Sequence, residues 1–220
     1  MGTTIPQSRI FYQMVQKLRN PVPKRRGRPP AYDPEAALRR ARDQFWRTGY
    51  AGTSLDEITA ATGMNKPSLY AAFGDKHALY LQALAQYWQI ALTSMREALA
   101  EDLPLEEALM RVYDDALSIY FGSDDRPHGC FAVGTAVTES GEDDAIRASM
   151  MAGIRSFDED FAARFRKARE SGEIEDDADP AALAVLATAT MHTIAIRARA
   201  GASRASLRSL ARKAVGVICG

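Results

Sequence analysis

Cysteine is scarce in this chain. Cys130 and Cys219 are the only two among 220 residues, too few for a disulfide framework and suited to a reducing compartment. Histidine is as sparse: His77, His128 and His192 lie far apart, without metal-ligand spacing around them. No glycine-rich phosphate loop and no base–nucleophile pairing occurs. The nearest approach to a reactive cluster is His128 and Cys130 with Asp124 and Asp125, which lacks the ordered partners of a catalytic site. The chain is therefore expected to be no enzyme and to need no cofactor or metal. No run approaches the ~18 consecutive apolar residues of a membrane span, so no membrane partner is expected. The N-terminus has neither a continuous apolar core nor a small-residue cleavage site, which argues against a secretory signal.

Net charge is absent too, at zero, but the zero conceals a polarity. Residues 1–32 carry Arg9, Lys17, Arg19, Lys24, Arg25, Arg26 and Arg28 and no acid, residues 33–80 balance six basic against six acidic side chains, and the remainder is seven negative. A basic front and an acidic rear turn one end of the molecule towards a polyanion. Over 7–19, Ile10, Met14 and Leu18 recur on one helical stripe, either a short docking helix or a tail. Pro21, Pro23, Pro29 and Pro30 prevent a regular helix over 20–32. Within 25–29, Arg26-Gly27-Arg28-Pro29 resembles the core of an AT-hook, whose arginines lie in the narrow minor groove of A·T-rich DNA; a basic linker is the alternative.

What is present is an ordinary soluble composition, 46% hydrophobic and 25% charged, enough for one small and one medium domain. The most informative stretch is Thr53 to Lys76. Thr53 or Ser54 can cap a helix with Leu55, Ile58 and Thr62 inward, and Asp56 and Glu57 suit its positive end. Gly63 ends it by turning left-handed, Met64 plugs the turn and Asn65 caps a second helix. Pro67 falls in that helix's first turn, where a missing N–H costs little. Leu69 and Phe73 face inward, leaving Lys66, Ser68, Tyr70, Ala71 and Ala72 outside. This is a helix-turn-helix able to enter a major groove.

These residues resemble the DNA-binding domain of the tetracycline-repressor (TetR) family of bacterial transcription regulators. The resemblance spans 33–80 and rests on Gly49-Tyr50, Thr53-Ser54-Leu55, Ile58, Gly63-Met64, Lys66, Ser68-Leu69-Tyr70, Phe73 and Lys76 in the family's order and spacing. Thr59 stands where the family usually has Ala, Pro67 where Gly is common, and Ala71-Ala72 where a bulky pair is frequent. The resemblance implies a cytoplasmic homodimer that binds double-stranded operator DNA. It also implies that Lys66, Pro67, Ser68, Tyr70 and Ala71 face DNA, with Tyr70 and Lys76 on phosphates and Thr53 and Ser54 near the backbone. Arg26 and Arg28 add arm contacts. The alanines can meet a thymine methyl.

The expected fold is all-α: a basic arm over 1–32, a three-helix DNA-binding domain over 33–78, and a helical effector-binding and dimerisation domain over 79–220. Asp33-Pro34-Glu35 starts a bracing helix with Leu38, Ala41, Phe45 and Trp46 inward. A long helix at 76–100 joins head to body, its N-terminus near DNA and His77 exposed. Further helices are expected at 105–121, 130–137 and 143–171. The last two, 181–199 and 204–218, contribute Leu183, Leu186, Met191 and Ile194, and Leu207, Leu210, Ala214 and Ile218, to a two-fold interface, because a helix apolar nearly all round must be covered on both sides. Tyr113, Leu117, Tyr120, Phe121 and Phe131, with Met150, Met151, Ile154 and Phe157, form the candidate effector pocket, suited to an apolar or aromatic small molecule. The expected function is a ligand-responsive regulator, with repression favoured by the resemblance. The alternatives are an architectural A·T-preferring DNA-binding protein and a redox-responsive regulator acting through Cys130 or Cys219.

Overall fold

The computed structural model describes residues 32–122 and 127–220. Within them the chain forms nine helices and no strand: α1 (Pro34–Gly52), α2 (Leu55–Thr62), α3 (Lys66–Phe73), α4 (Lys76–Ala100), α5 (Leu105–Phe121), α6 (Phe131–Glu139), α7 (Asp144–Glu170), α8 (Pro180–Arg199) and α9 (Arg204–Cys219). The stripe at 7–19 and the AT-hook-like residues, Arg26 and Arg28 among them, lie outside the described residues.

Most helix starts are capped by the residue just before them. Asp33, Asn65, Asp75, Asp143, Asp179 and Ser203 each accept a first-turn N–H, satisfying donors that a helix leaves open. Ser54 does so in a capping box: its hydroxyl accepts from Glu57 N–H while the Glu57 carboxylate accepts from Ser54 N–H, which settles the choice between Thr53 and Ser54. At α5 the cap comes from elsewhere. Pro104 offers no side chain, and the Glu173 carboxylate accepts Leu105 N–H at 2.5 Å. Buried Arg164 forks onto Glu173 and also donates to the Leu103 carbonyl, tying the α4–α5 turn to the α7–α8 turn.

The head is braced on α1, where Ala37, Ala41, Phe45 and Trp46 are buried and Leu38 half-buried. Gly49 leaves the helical path at φ 77°, a conformation open to glycine. The Phe45 ring meets Tyr80 edge-on at 5.1 Å, which locks α1 to α4. Helix α4 runs on into the body, burying Tyr80, Leu84, Tyr87, Trp88, Ala91 and Met95. There it crosses α7 closely: a Cβ on Gly153 would sit 2.4 Å from the Trp88 ring. Helix α8 is long and apolar enough, by length and composition, to cross a membrane, contrary to the sequence reading. Here one of its faces packs against the body instead.

Candidate nucleic-acid interface

Helices α2 and α3 meet across a three-residue turn. Gly63 takes the left-handed conformation at φ 71°, Met64 is buried beneath it, and Leu69 and Phe73 pin α3 to the head. The outer side presents Lys66, Pro67, Tyr70, Ala71 and Ala72 exposed and Ser68 half-buried. Lys66 Nζ lies 2.7 Å from Asp56 Oδ1 of α2, both side chains in solvent. Lys76, at the start of α4, rests its ammonium 4.5 Å above the Tyr50 ring, a cation–π contact. The Ser54 hydroxyl is bonded to the Glu57 carboxylate at 2.8 Å.

Thr53 is a correction. Its side chain is 1% exposed, and its hydroxyl donates to the Gly49 carbonyl at 2.5 Å and lies 2.6 Å from Thr48 Oγ1. It closes the bend after α1 and presents no side chain to DNA. His77 is another. It is half-buried, with Nε2 2.6 Å from Asp143 Oδ2, so it joins the head to α7 rather than standing free in solvent.

In the body, Tyr113, Leu117, Tyr120, Phe131, Met150 and Phe157 are buried, Phe121 and Ile154 half-buried, and Met151 is 48% exposed. Of these nine, Tyr120 and Phe157 border an interior cavity of about 20 Å³, which Tyr87, Ile119 and Met191 also line. A larger cleft of about 330 Å³ opens between head and body, walled by Arg42, Asp43 and Trp46 of α1 and by Tyr87, Ile90 and Ile119. Tyr87 and Ile119 partition the two spaces. The Tyr87 hydroxyl donates to Cys130 Sγ at 3.0 Å. Burial pushes the Cys130 thiol up, and burial likewise pushes Cys219 up to about 11.

The expected interface residues separate into two sets. Met191, Ile194 and Leu207 are buried within the single chain and belong to its core; Ile218, 6% exposed, is buried too but borders the groove between α8 and α9. Leu183, Leu210 and Ala214 are half-buried and Leu186 is 51% exposed. The uncovered face also holds Val185, Ile196 and, at 81% exposed, Val217. Periodicity could not locate this face, because α8 is apolar on every side.

A capped helix-turn-helix head carried on a long helix into a second helical bundle defines a DNA-binding transcription regulator. Residues 37–83 match the sequence model of bacterial regulatory proteins of the tetR family, and residues 106–214 that of the tetracyclin repressor-like C-terminal domain. The chain is 34% identical over 192 residues to the HTH-type transcriptional repressor ComR of Escherichia coli (strain K12), covering 86% of this chain and 90% of ComR. It is 36% identical over 107 residues to the HTH-type transcriptional repressor BdcR of the same strain, covering 49% and 53%. A cysteine mutant of the TetR family regulator CifR, solved with 26-bp double-strand operator DNA, matches with a TM-score of 0.78 at 31% identity, over 86% of this chain and 98% of that one. The chain belongs to the TetR family of transcription regulators.

Proposed function

We propose that the protein is a homodimeric, ligand-responsive repressor that binds a near-palindromic operator and acts in the cytoplasm. The observation that carries the dimer is the uncovered apolar face of α8 and α9, where Val185, Leu186, Ile196 and Val217 are each more than half exposed. The groove between these helices measures about 450 Å³ and is lined by Leu186, Ala189, Leu210, Ala214 and Val217. A second copy laid on this face covers it by a two-fold axis and sets two heads side by side, as consecutive major grooves require. Contiguous apolar surface of this kind marks an association site.

In this reading α3 enters the groove. Pro67, Ser68, Tyr70 and Ala71 face DNA, while Lys66 and Lys76 leave Asp56 and the Tyr50 ring to meet phosphates. Ser54 stays near the backbone through its N-cap position. The effector is an apolar or aromatic molecule. The head–body cleft of about 330 Å³ falls within the usual range of ligand sites, ~300–1,000 Å³, whereas the cavity beside Tyr120 and Phe157 measures about 20 Å³. Entry from the cleft past Tyr87 and Ile119 supports a ligand that shifts α4 and with it the head. A redox switch is disfavoured, since the raised thiol pKa values keep Cys130 and Cys219 protonated at neutral pH, and reactivity belongs to the thiolate.

Light scattering of the protein alone and with a duplex carrying its operator tests the assembly. A mass twice 24.1 kDa and two chains per operator are expected. A monomer that stays monomeric on DNA contradicts the reading.

A further inference from the structure

Side chains that read bases must point away from the face by which α3 packs on the head. Leu69 and Phe73 mark that packed face. At 3.6 residues per turn the positions opposite them are Pro67 and Ala71, one turn apart, and both are exposed. Ser68 flanks this apex on one side and Tyr70 on the other. Neither apex side chain carries a donor or an acceptor. Arg, Asn and Gln, which read guanine and adenine through paired hydrogen bonds, do not occur in α3. Its one cation, Lys66, lies off the apex and is engaged by Asp56 at 2.7 Å.

A hydrogen-bond code is therefore closed to this apex. The apolar group that a base edge offers in the major groove is the C5-methyl of thymine, which small apolar side chains recognise by contact. Short side chains at Ala71 and Ala72 also let the α3 backbone approach the base edges closely. We infer that this protein reads its operator mainly through thymine methyl groups held against Pro67 and Ala71, with hydrogen-bonded readout confined to the flanking Ser68 and Tyr70. The inference rests on the placement of α3 in the groove proposed above; the DNA partner itself follows from membership of the family.

The test replaces each thymine of the operator in turn by deoxyuridine, which removes only the C5-methyl and keeps base pairing. The operator is first selected from random duplex DNA with the full chain. One or two positions in each half-site should lose about fourfold in affinity, as expected for one buried methyl, with the salt dependence unchanged. Symmetrical replacement in both half-sites should cost about sixteenfold. Ala71→Ser and Ala71→Gly should shrink the thymine–uracil difference at the same positions, with circular dichroism verifying that the helices persist. Equal affinity for the thymine and uracil forms at every position, with preference over random DNA retained, overturns the inference and leaves the regulator intact. Uracil sensitivity undiminished at every position in both Ala71 variants and in Pro67→Gly assigns the methyls to other residues and also overturns it. A selection that enriches no sequence instead fails the placement of α3 on which the inference stands.

Discussion

His77 Nε2 lies 2.6 Å from Asp143 Oδ2, joining the first turn of α4 to the N-cap of α7. The same carboxylate caps α7 by accepting Ala145 and Ile146 N–H at 2.9 Å each. The first residues after the recognition helix are thus clasped to the body by a group that also starts a body helix. The Ile146 N–H, followed by His77, holds the Asp143 carboxyl below the usual carboxylate range. A lowered folded-state pKa contributes stability above the unfolded-state pKa that is lost as pH falls through the folded-state value. Asp143→Asn retains the capping oxygen but not the charge. Its melting temperature should lie below that of the parent at pH 7, and the gap should close as pH falls below about 4. A gap independent of pH in thermal denaturation would show that the charge is irrelevant.

Asp56 restrains the positive charge of the recognition helix. An ion pair this exposed adds little to fold stability, but in the proposed reading it holds a carboxylate where phosphates approach. Asp56→Ala should tighten binding to operator and scrambled DNA alike, by roughly threefold to tenfold, and steepen the salt dependence by about one unit as Lys66 turns to a phosphate. Fluorescence anisotropy across a salt series measures both. Weaker binding would mean that the pair orients α3.

The two apolar sets on α8 and α9 make opposite predictions. Val217→Asp, at a position 81% exposed in the single chain, should separate the dimer by light scattering while leaving the helical content intact. Met191→Ala, at a buried position, should cost ~2–5 kcal/mol in chemical denaturation. A dimer that survives Val217→Asp moves the interface elsewhere.

Gly153 is required by its neighbour. Because a Cβ there would fall 2.4 Å from the Trp88 ring, Gly153→Ala must push α7 from α4 or rotate the indole. The overpacking should cost about 1–3 kcal/mol, read as a lowered denaturation midpoint. An unchanged midpoint would show the crossing to be loose.

How far the sequence alone reaches can be read from these residues. The helix-turn-helix was legible because its signals are local: the Asn65 cap, Gly63, Met64, and the Leu69 and Phe73 spacing all act within a few residues. Helix positions followed for the same reason. The clasp between His77 and Asp143 was not legible, since its partners are 66 residues apart. Nor was the Glu173 cap on α5, where partner and cap are 68 residues apart. Thr53 misled because its position in the motif said nothing of the bend after Gly49, which turns its hydroxyl inward. The uncovered apolar face, proposed above as the dimer interface, was half-legible: composition indicated that α8 needs cover on both sides, but an all-round apolar helix carries no period to say which side the chain itself covers.

The most direct test of the account is anisotropy of the purified protein on DNA from upstream of its own gene, against a scrambled duplex, over a salt series. Binding that persists at physiological salt and exceeds the scramble by ~10³ or more is predicted for a sequence-specific regulator. Equal binding to both duplexes, lost together as salt rises, would contradict it and leave only charge-driven association with DNA.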